Sequence, residues 1–174
     1  MNSALDAAQI QAANERLADQ IWETQEGGVI HLVGIRSRGD EVAERVFELL
    51  RRKGAQVRLG VLDISLYRDD YEHLSSNPTL QSSEIDFPVD GAHIVLVDDV
   101  IFTGRTIRAA LDALFDYGRP AKVDLAVLID RGHRELPVEP RFVGKHLPTE
   151  RMDRVDVSLQ KTDGKELVEI ITPQ

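Results

Sequence analysis

Two adjacent carboxylates, Asp98 and Asp99, follow the apolar run Ile94-Val95-Leu96-Val97, and a small-residue turn, Thr103-Gly104-Arg105-Thr106, comes five residues later. The turn offers backbone N–H groups, two hydroxyls and the start of a helix, whose partial positive charge suits a phosphate monoester. Gly104 permits a close backbone approach that a side chain would block. Carboxylates beside an anion site are a poor arrangement for phosphate alone. They make sense when the ligand also presents vicinal hydroxyls, because carboxylates are strong acceptors. A sugar phosphate has both. Taken on spacing alone, the same residues also fit a strand that ends in two aspartates and a threonine that caps a helix.

Two further stretches have the composition of ligand loops. Gly34-Ile35-Arg36-Ser37-Arg38-Gly39 stands between an apolar run and a helical pattern, where successive N–H groups can converge on an anion. Arg68 opens a long polar stretch that ends near Ser83, and a loop of that length inside a compact domain is often functional. The bland alternatives are a solvated arginine turn and a surface loop.

The elements that must position these residues alternate. Asp6-Ala7-Ala8-Gln9 reads as a capping box ahead of a helix with Ile10, Ala13, Leu17 and Ile21 on one face, stopped at Gly27-Gly28. Val29 to Ile35 reads as a buried strand. Asp40 is placed to cap a second helix carrying Val42, Val46, Leu49 and Leu50. Val57 to Tyr67 reads as a strand, Ile94 to Val97 as another, Thr106 to Tyr117 as a helix and Val123 to Ile129 as a last buried strand. Alternation of this kind implies right-handed crossovers and a mainly parallel, twisted sheet flanked by helices. After Asp130 the texture changes. Pro137, Pro140 and Pro148 break the chain, and Val155 to Leu159 with Leu167 to Ile171 read as a hairpin around Asp163-Gly164. The expectation is one domain over residues 1–174, with a loop at about 68–83. A hood is expected from about 131–174, together with the N-terminal helix. In such a sheet ligands bind at the carboxyl ends of the strands, where Asp98 and Asp99 fall.

Bulk properties narrow the classes. With 30 acidic and 21 basic side chains the formal charge is −9, which argues against broad nonspecific nucleic-acid binding but leaves a local basic face open. No cysteine is present, so thiolate metal sites and disulfides are excluded, and five histidines form no visible ligand cluster. No signal-peptide pattern or apolar run of about 20 residues occurs, so a cytoplasmic protein is expected.

The segment Ile94 to Thr106 resembles the 5-phosphoribosyl-1-diphosphate (PRPP) signature of type I phosphoribosyltransferases: four apolar residues, an acidic pair, three apolar residues and a Thr-Gly-x-Thr-like turn. That resemblance implies a type I phosphoribosyltransferase-like fold. It also implies PRPP or UMP ribose and phosphate on Asp98, Asp99, Val100, Ile101, Phe102, Thr103, Gly104, Arg105 and Thr106. The diphosphate would lie on Ser37, Arg38, Gly39 and Arg68. Purine-salvage members usually carry an aspartate at the position of Phe102, to interact with the purine ring nitrogen. Phenylalanine cannot accept that proton, and an aromatic wall fits a smaller pyrimidine.

Leu62 to Asp70, Leu125 to Pro137 and Phe142 to Thr149 are similar to the PyrR family, bifunctional bacterial regulators of pyrimidine operons and uracil phosphoribosyltransferases. The resemblance covers nearly the whole chain in order. It implies conversion of uracil and PRPP to UMP and diphosphate with Mg2+. Asp98, Asp99 and Arg38 would carry catalysis, Mg2+ would be bound through PRPP with Asp98 and Asp99 beside it, and Asp130, Arg131 and Val155 would meet the base. It also implies a homo-oligomer and a pyrimidine-leader RNA as partner, contacted by residues such as Arg16, Arg134, Lys145, Arg151 and Arg154. His133 is expected to hydrogen-bond or face RNA rather than act as a base. One departure stands out: Glu15 and Asp19 occupy helix positions where neutral or basic side chains are expected for RNA. A non-catalytic, nucleotide-sensing RNA regulator is the competing class.

Overall fold

The computed structural model describes residues 2–68 and 83–174; most of the expected 68–83 loop therefore lies outside the described residues. The elements are β1 (Asn2–Leu5), α1 (Ala7–Thr24), β2 (Val29–Arg36), α2 (Gly39–Arg52), β3 (Gln56–Asp63), β4 (His93–Ile101), α3 (Arg105–Phe115), β5 (Lys122–Asp130), β6 (Phe142–His146), β7 (Arg154–Ser158), α4 (Gln160–Asp163) and β8 (Leu167–Ile171). Five strands form a wholly parallel sheet in the order β3-β2-β4-β5-β6, and β1-β8-β7 form a small antiparallel one.

Burial on both faces explains why the central strands are apolar without alternation. Val95, Val97 and Leu128 pack with Leu17 of α1 and Val46 and Leu50 of α2. Leu96 and Val127 pack on the other face with Ile107 and Leu114 of α3. The capping box at Asp6 forms as expected: Gln9 N donates to Asp6 Oδ1 and Asp6 N donates to Gln9 Oε1, both at 2.9 Å.

Several boundaries differ from the sequence expectation. β3 stops at Asp63, and Tyr67 N donates to Ile64 O at 2.9 Å, so residues 64–67 turn rather than extend the strand. β4 runs on to Ile101, which puts the acidic pair inside the strand end. Asp40 does not cap α2. Arg38 does, at φ 76°, and Asp40 lies in the first turn, where its charge suits the helix dipole. The segment after Asp130 does not all leave the sheet, since β6 pairs with β5 as the fifth parallel strand. The N-terminal share of the hood is made through β1, which pairs with β8, while α1 lies along β5 and β6. The hairpin of β7 and β8 is present, with α4 at its tip.

Candidate active site

The carboxyl ends of β2, β3 and β4 open onto a cavity of about 400 Å³ bordered by Ser37, Asp63, Arg68, Asp98, Asp99 and Thr106, with Arg38 at its edge. Asp98 is 4% exposed. Its Oδ1 accepts the Asp99 amide at 2.9 Å, and Asp99 Oδ1 accepts the Val100 amide at 2.9 Å. Burial pushes the Asp98 carboxyl well above the usual carboxylate range, and the neighbouring Asp99 charge adds to it. Asp99 is also pushed up by burial, although its bonds with Asp98 and the Val100 amide oppose that. The pair is therefore costly to ionise fully. A ligand that brings hydroxyl donors or positive charge would relieve that cost.

The turn after β4 is braced from behind. Thr103 O accepts the amides of Glu135 (2.9 Å) and Leu136 (3.1 Å). Gly104 caps α3 at φ 95°, a conformation that L side chains rarely adopt, and a Cβ there would also touch the Leu136 and Val138 side chains at 3.4 Å. Among the described residues no side chain caps α3, and the Arg105 amide donates to Thr103 Oγ1 at 3.3 Å. Such an end is suited to an anion. Arg105 itself turns to Glu135 (3.2 Å), and Glu135 is shared with Arg151.

The loop between β2 and α2 is pressed against the acidic strand. A Cβ on Gly39 would fall 2.6 Å from Val97 O and 3.0 Å from Asp98 Oδ1, so only glycine allows this approach. Ser37 and Arg38 both border the cavity, as the sequence suggested. The Arg38 guanidinium, however, is engaged elsewhere: Nε and Nη2 donate to Asp163 Oδ2 and Oδ1 at 3.1 and 2.8 Å. Asp63 and Ser65 were missed as candidates because the strand reading ran past them. Asp63 Oδ1 accepts both the amide (2.9 Å) and the hydroxyl (2.7 Å) of Ser65, at the end of β3 and beside the cavity. The available signal was a polar residue ending an apolar strand of the same sheet, separated by β2 from the strand that carries Asp98.

On the hood side, Arg131 stacks over the Phe102 ring, with its guanidinium carbon 3.9 Å from the ring centroid. His133 meets the same ring edge-on at 6.2 Å. Phe102 therefore has a guanidinium on one face rather than two free faces. Arg131 is 5% exposed, and burial lowers its pKa. It donates to Asp153 O (2.7 Å) and Glu150 O (3.0 Å), while Nε is buried without a partner. Asp130 is hydrogen-bonded within the protein: Oδ2 holds Arg134 at 2.7 Å and Oδ1 accepts the Gly132 amide at 3.0 Å. Val155 is half-buried on β7, packed against the same core as Val100.

The expected RNA contacts are scattered. Arg134 is half-buried, tied to Asp130, to Phe102 O (3.1 Å) and to Val138 O (2.9 Å), and these bonds brace the turn. Arg16 Nε donates to Gly144 O at 2.7 Å and shares a groove with Lys145. Arg151 pairs with Glu135, and Arg154 forms a two-pronged pair with Asp156 at 2.9 Å. His133 Nε2 lies 2.7 Å from Thr149 O, a bracing hydrogen bond. No helix among the described residues is long and apolar enough to cross a membrane.

Comparison with known proteins agrees with this geometry. The phosphoribosyl transferase domain model matches residues 2–153. The chain is 49% identical over 168 residues to the bifunctional protein PyrR of Acetivibrio thermocellus, covering 95% of this chain and 91% of that one. It is 44% identical over 172 residues to that of Deinococcus radiodurans, covering 98% and 94%. Among solved structures, the hypoxanthine phosphoribosyltransferase of Trypanosoma cruzi superposes with a TM-score of 0.73 at 16% identity, covering 100% of this chain and 98% of that one, a likeness of fold. A sheet that ends in two adjacent carboxylates, the first of them buried, beside a helix start without a side-chain cap thus sits on a chain that belongs to the phosphoribosyltransferase family, among the bifunctional PyrR proteins.

Proposed function

We propose that this chain forms UMP and diphosphate from uracil and PRPP and uses the same nucleotide pocket to govern pyrimidine gene expression through leader RNA. The observation that carries the reading is the Asp98-Asp99 pair, buried at Asp98 and half-buried at Asp99, set between the Ser37-to-Gly39 loop and a start of α3 that no side chain caps.

In this reading Asp98 and Asp99 accept the ribose hydroxyls, and the amides and hydroxyls of Thr103 to Thr106 surround the 5′-phosphate. Ser37, Arg38, Gly39 and Arg68 line the diphosphate end. Uracil N1 attacks the anomeric carbon, the bond from that carbon to diphosphate oxygen breaks with its electron pair leaving on diphosphate, and the N1 proton is released. Two carboxylates under the ring favour the positive charge that develops at the anomeric carbon. Among the described residues no group of three or more His, Asp or Glu side chains is placed to hold a metal ion by itself. The carboxylates of Asp98 and Asp99 would supply protein oxygens to Mg2+ that arrives with PRPP, since Mg2+ is commonly held by one or two carboxylates plus substrate phosphates. When bound it would neutralise the leaving diphosphate.

The base would lie on the hood side, near Phe102, Arg131 and Val155. The unpartnered Arg131 Nε supplies a donor there, and the absence of an acid at Phe102 disfavours 6-oxopurines. The name shared by the relatives supports a second role. A homo-oligomer fits the exposed Phe115 (53%) and Tyr117 (44%) at the end of α3. The test is a panel of uracil, orotate, hypoxanthine and guanine with PRPP and Mg2+. Uracil alone should give nucleotide. Turnover of a purine but not uracil overturns the base assignment, and no turnover of any base leaves a nucleotide-sensing regulator.

A further inference from the structure

We infer that Asp163, at the tip of the hood, is a positioning residue for the diphosphate loop. This rests on the reading of that loop given above and adds a residue to it.

Arg38 holds a left-handed backbone conformation, φ 76°, which a non-glycine residue rarely adopts unless its surroundings impose it. Its own side chain supplies the restraint. The guanidinium is fixed by two parallel bonds to Asp163, 2.8 and 3.1 Å long, across 125 residues of sequence. Asp163 is fixed in turn, because Oδ2 also accepts the Leu159 amide at 2.9 Å. The tip of the hood is then fastened to α2 at a second point. The buried Glu41 accepts the amides of Lys161 (2.9 Å) and Thr162 (3.0 Å) and the Thr162 hydroxyl (2.7 Å), and Arg45 links Glu41 to Glu166.

The consequence is a rigid clasp with one functional end. Ser37 and Arg38 border the cavity, and the adjoining Gly39 seats their loop against Asp98. With the Arg38 guanidinium drawn to the hood, the loop offers its amides to an anion rather than a mobile cation. Planar two-pronged pairing is the geometry by which arginine fixes orientation as well as charge. The opposite role would be a competitor: Asp163 would withhold Arg38 from diphosphate, and its removal would tighten binding. The second acceptor duty of Asp163 and the twin fastening at Glu41 favour the strut.

The experiment compares the wild type with Asp163→Asn, Asp163→Ala and, as a control on the same short helix, Lys161→Ala. Affinity for PRPP with Mg2+ and for UMP is measured by calorimetry, alongside steady-state kinetics. Both Asp163 variants should weaken PRPP about tenfold, the scale of one lost charge-assisted pair, and raise its KM more than they lower kcat. UMP affinity should stay unchanged, because UMP has no diphosphate, and Lys161→Ala should match the wild type. Unchanged or tighter PRPP binding overturns the inference. Equal loss of PRPP and UMP also overturns it, since general disruption of the hood would act on both. A wrong assignment of the base is distinguishable, because PRPP binding by the wild type would survive while uracil turnover failed.

Discussion

At the scale of single residues, the acidic pair shows a conflict between stability and ligand binding. Asp98 is buried among apolar strands, and its pKa is raised by burial first and by Asp99 second. For a carboxyl with a raised folded pKa, the native state binds the proton more tightly than the unfolded state does. Its cost to stability is absent below the ordinary carboxylate pKa, develops as pH rises toward the folded value, and is constant above it. Asp98→Asn should therefore stabilise the ligand-free protein near neutral pH by about 1 kcal/mol, a gain of about 2–4 °C in Tm for a chain of this size. The same change should abolish most uracil turnover, because the ribose hydroxyls lose a charged acceptor. Differential scanning calorimetry at pH 4 and pH 7.5 checks the first half, with the gain expected only at the higher pH. A loss of Tm at both pH values would show that Asp98 is needed to hold the strand end.

At the scale of elements, the hood is held by charges that act in the opposite sense. Burial alone would raise the Glu41 pKa, but the amides of Lys161 and Thr162, the Thr162 hydroxyl and Arg45 outweigh it and leave it lowered. Asp163 is lowered first by its bond to Arg38. A lowered folded pKa gives stability that is fully present above the ordinary carboxylate range and is lost as pH falls through and below about 4. The docking of Gln160–Asp163 on α2 should loosen on acidification, seen as faster amide exchange at Leu159, Lys161 and Thr162. Glu41→Gln should cost about 1–3 kcal/mol at neutral pH and flatten that acid dependence. These pairings connect residues some 120 apart, which is why the sequence could place Arg38 in the right loop yet not say that its side chain faces the hood. What was legible was local: the capping box at Asp6, the apolar run of β4, the helix after Gly104. β1 was not, being four residues long, and β6 was hidden because Gly144, Lys145 and His146 interrupt its apolar pattern. The acidic pair was found by type and spacing, but Asp63 was lost when the strand reading overran a turn.

At the scale of the whole molecule, the question is whether a chain of net charge −9 can hold RNA. Affinity for a polyanion depends on cations free to displace counterions, and that term falls steeply with salt. Most basic residues of the C-terminal half are already committed: Arg134 to Asp130, Arg141 to Asp124 at 2.8 Å, Arg151 to Glu135 and Arg154 to Asp156. Arg16 and Lys145 share one groove, and Glu15 and Asp19 lie on the same helix as Arg16, with Asp19 2.7 Å from Lys53. Binding should thus be weak, strongly salt-dependent, and limited by acidic side chains rather than by a shortage of arginines. Glu15→Lys combined with Asp19→Asn should raise affinity for a pyrimidine-leader stem-loop by about tenfold at low salt and steepen the salt dependence by about one phosphate contact. Uracil turnover should not change, because α1 does not border the catalytic cavity. A gel shift run across a salt series, with and without UMP, checks both parts. If the double variant binds no better than the wild type, α1 is not part of the RNA surface; if neither binds at low salt with UMP, the regulatory role fails while the phosphoribosyltransferase site stands.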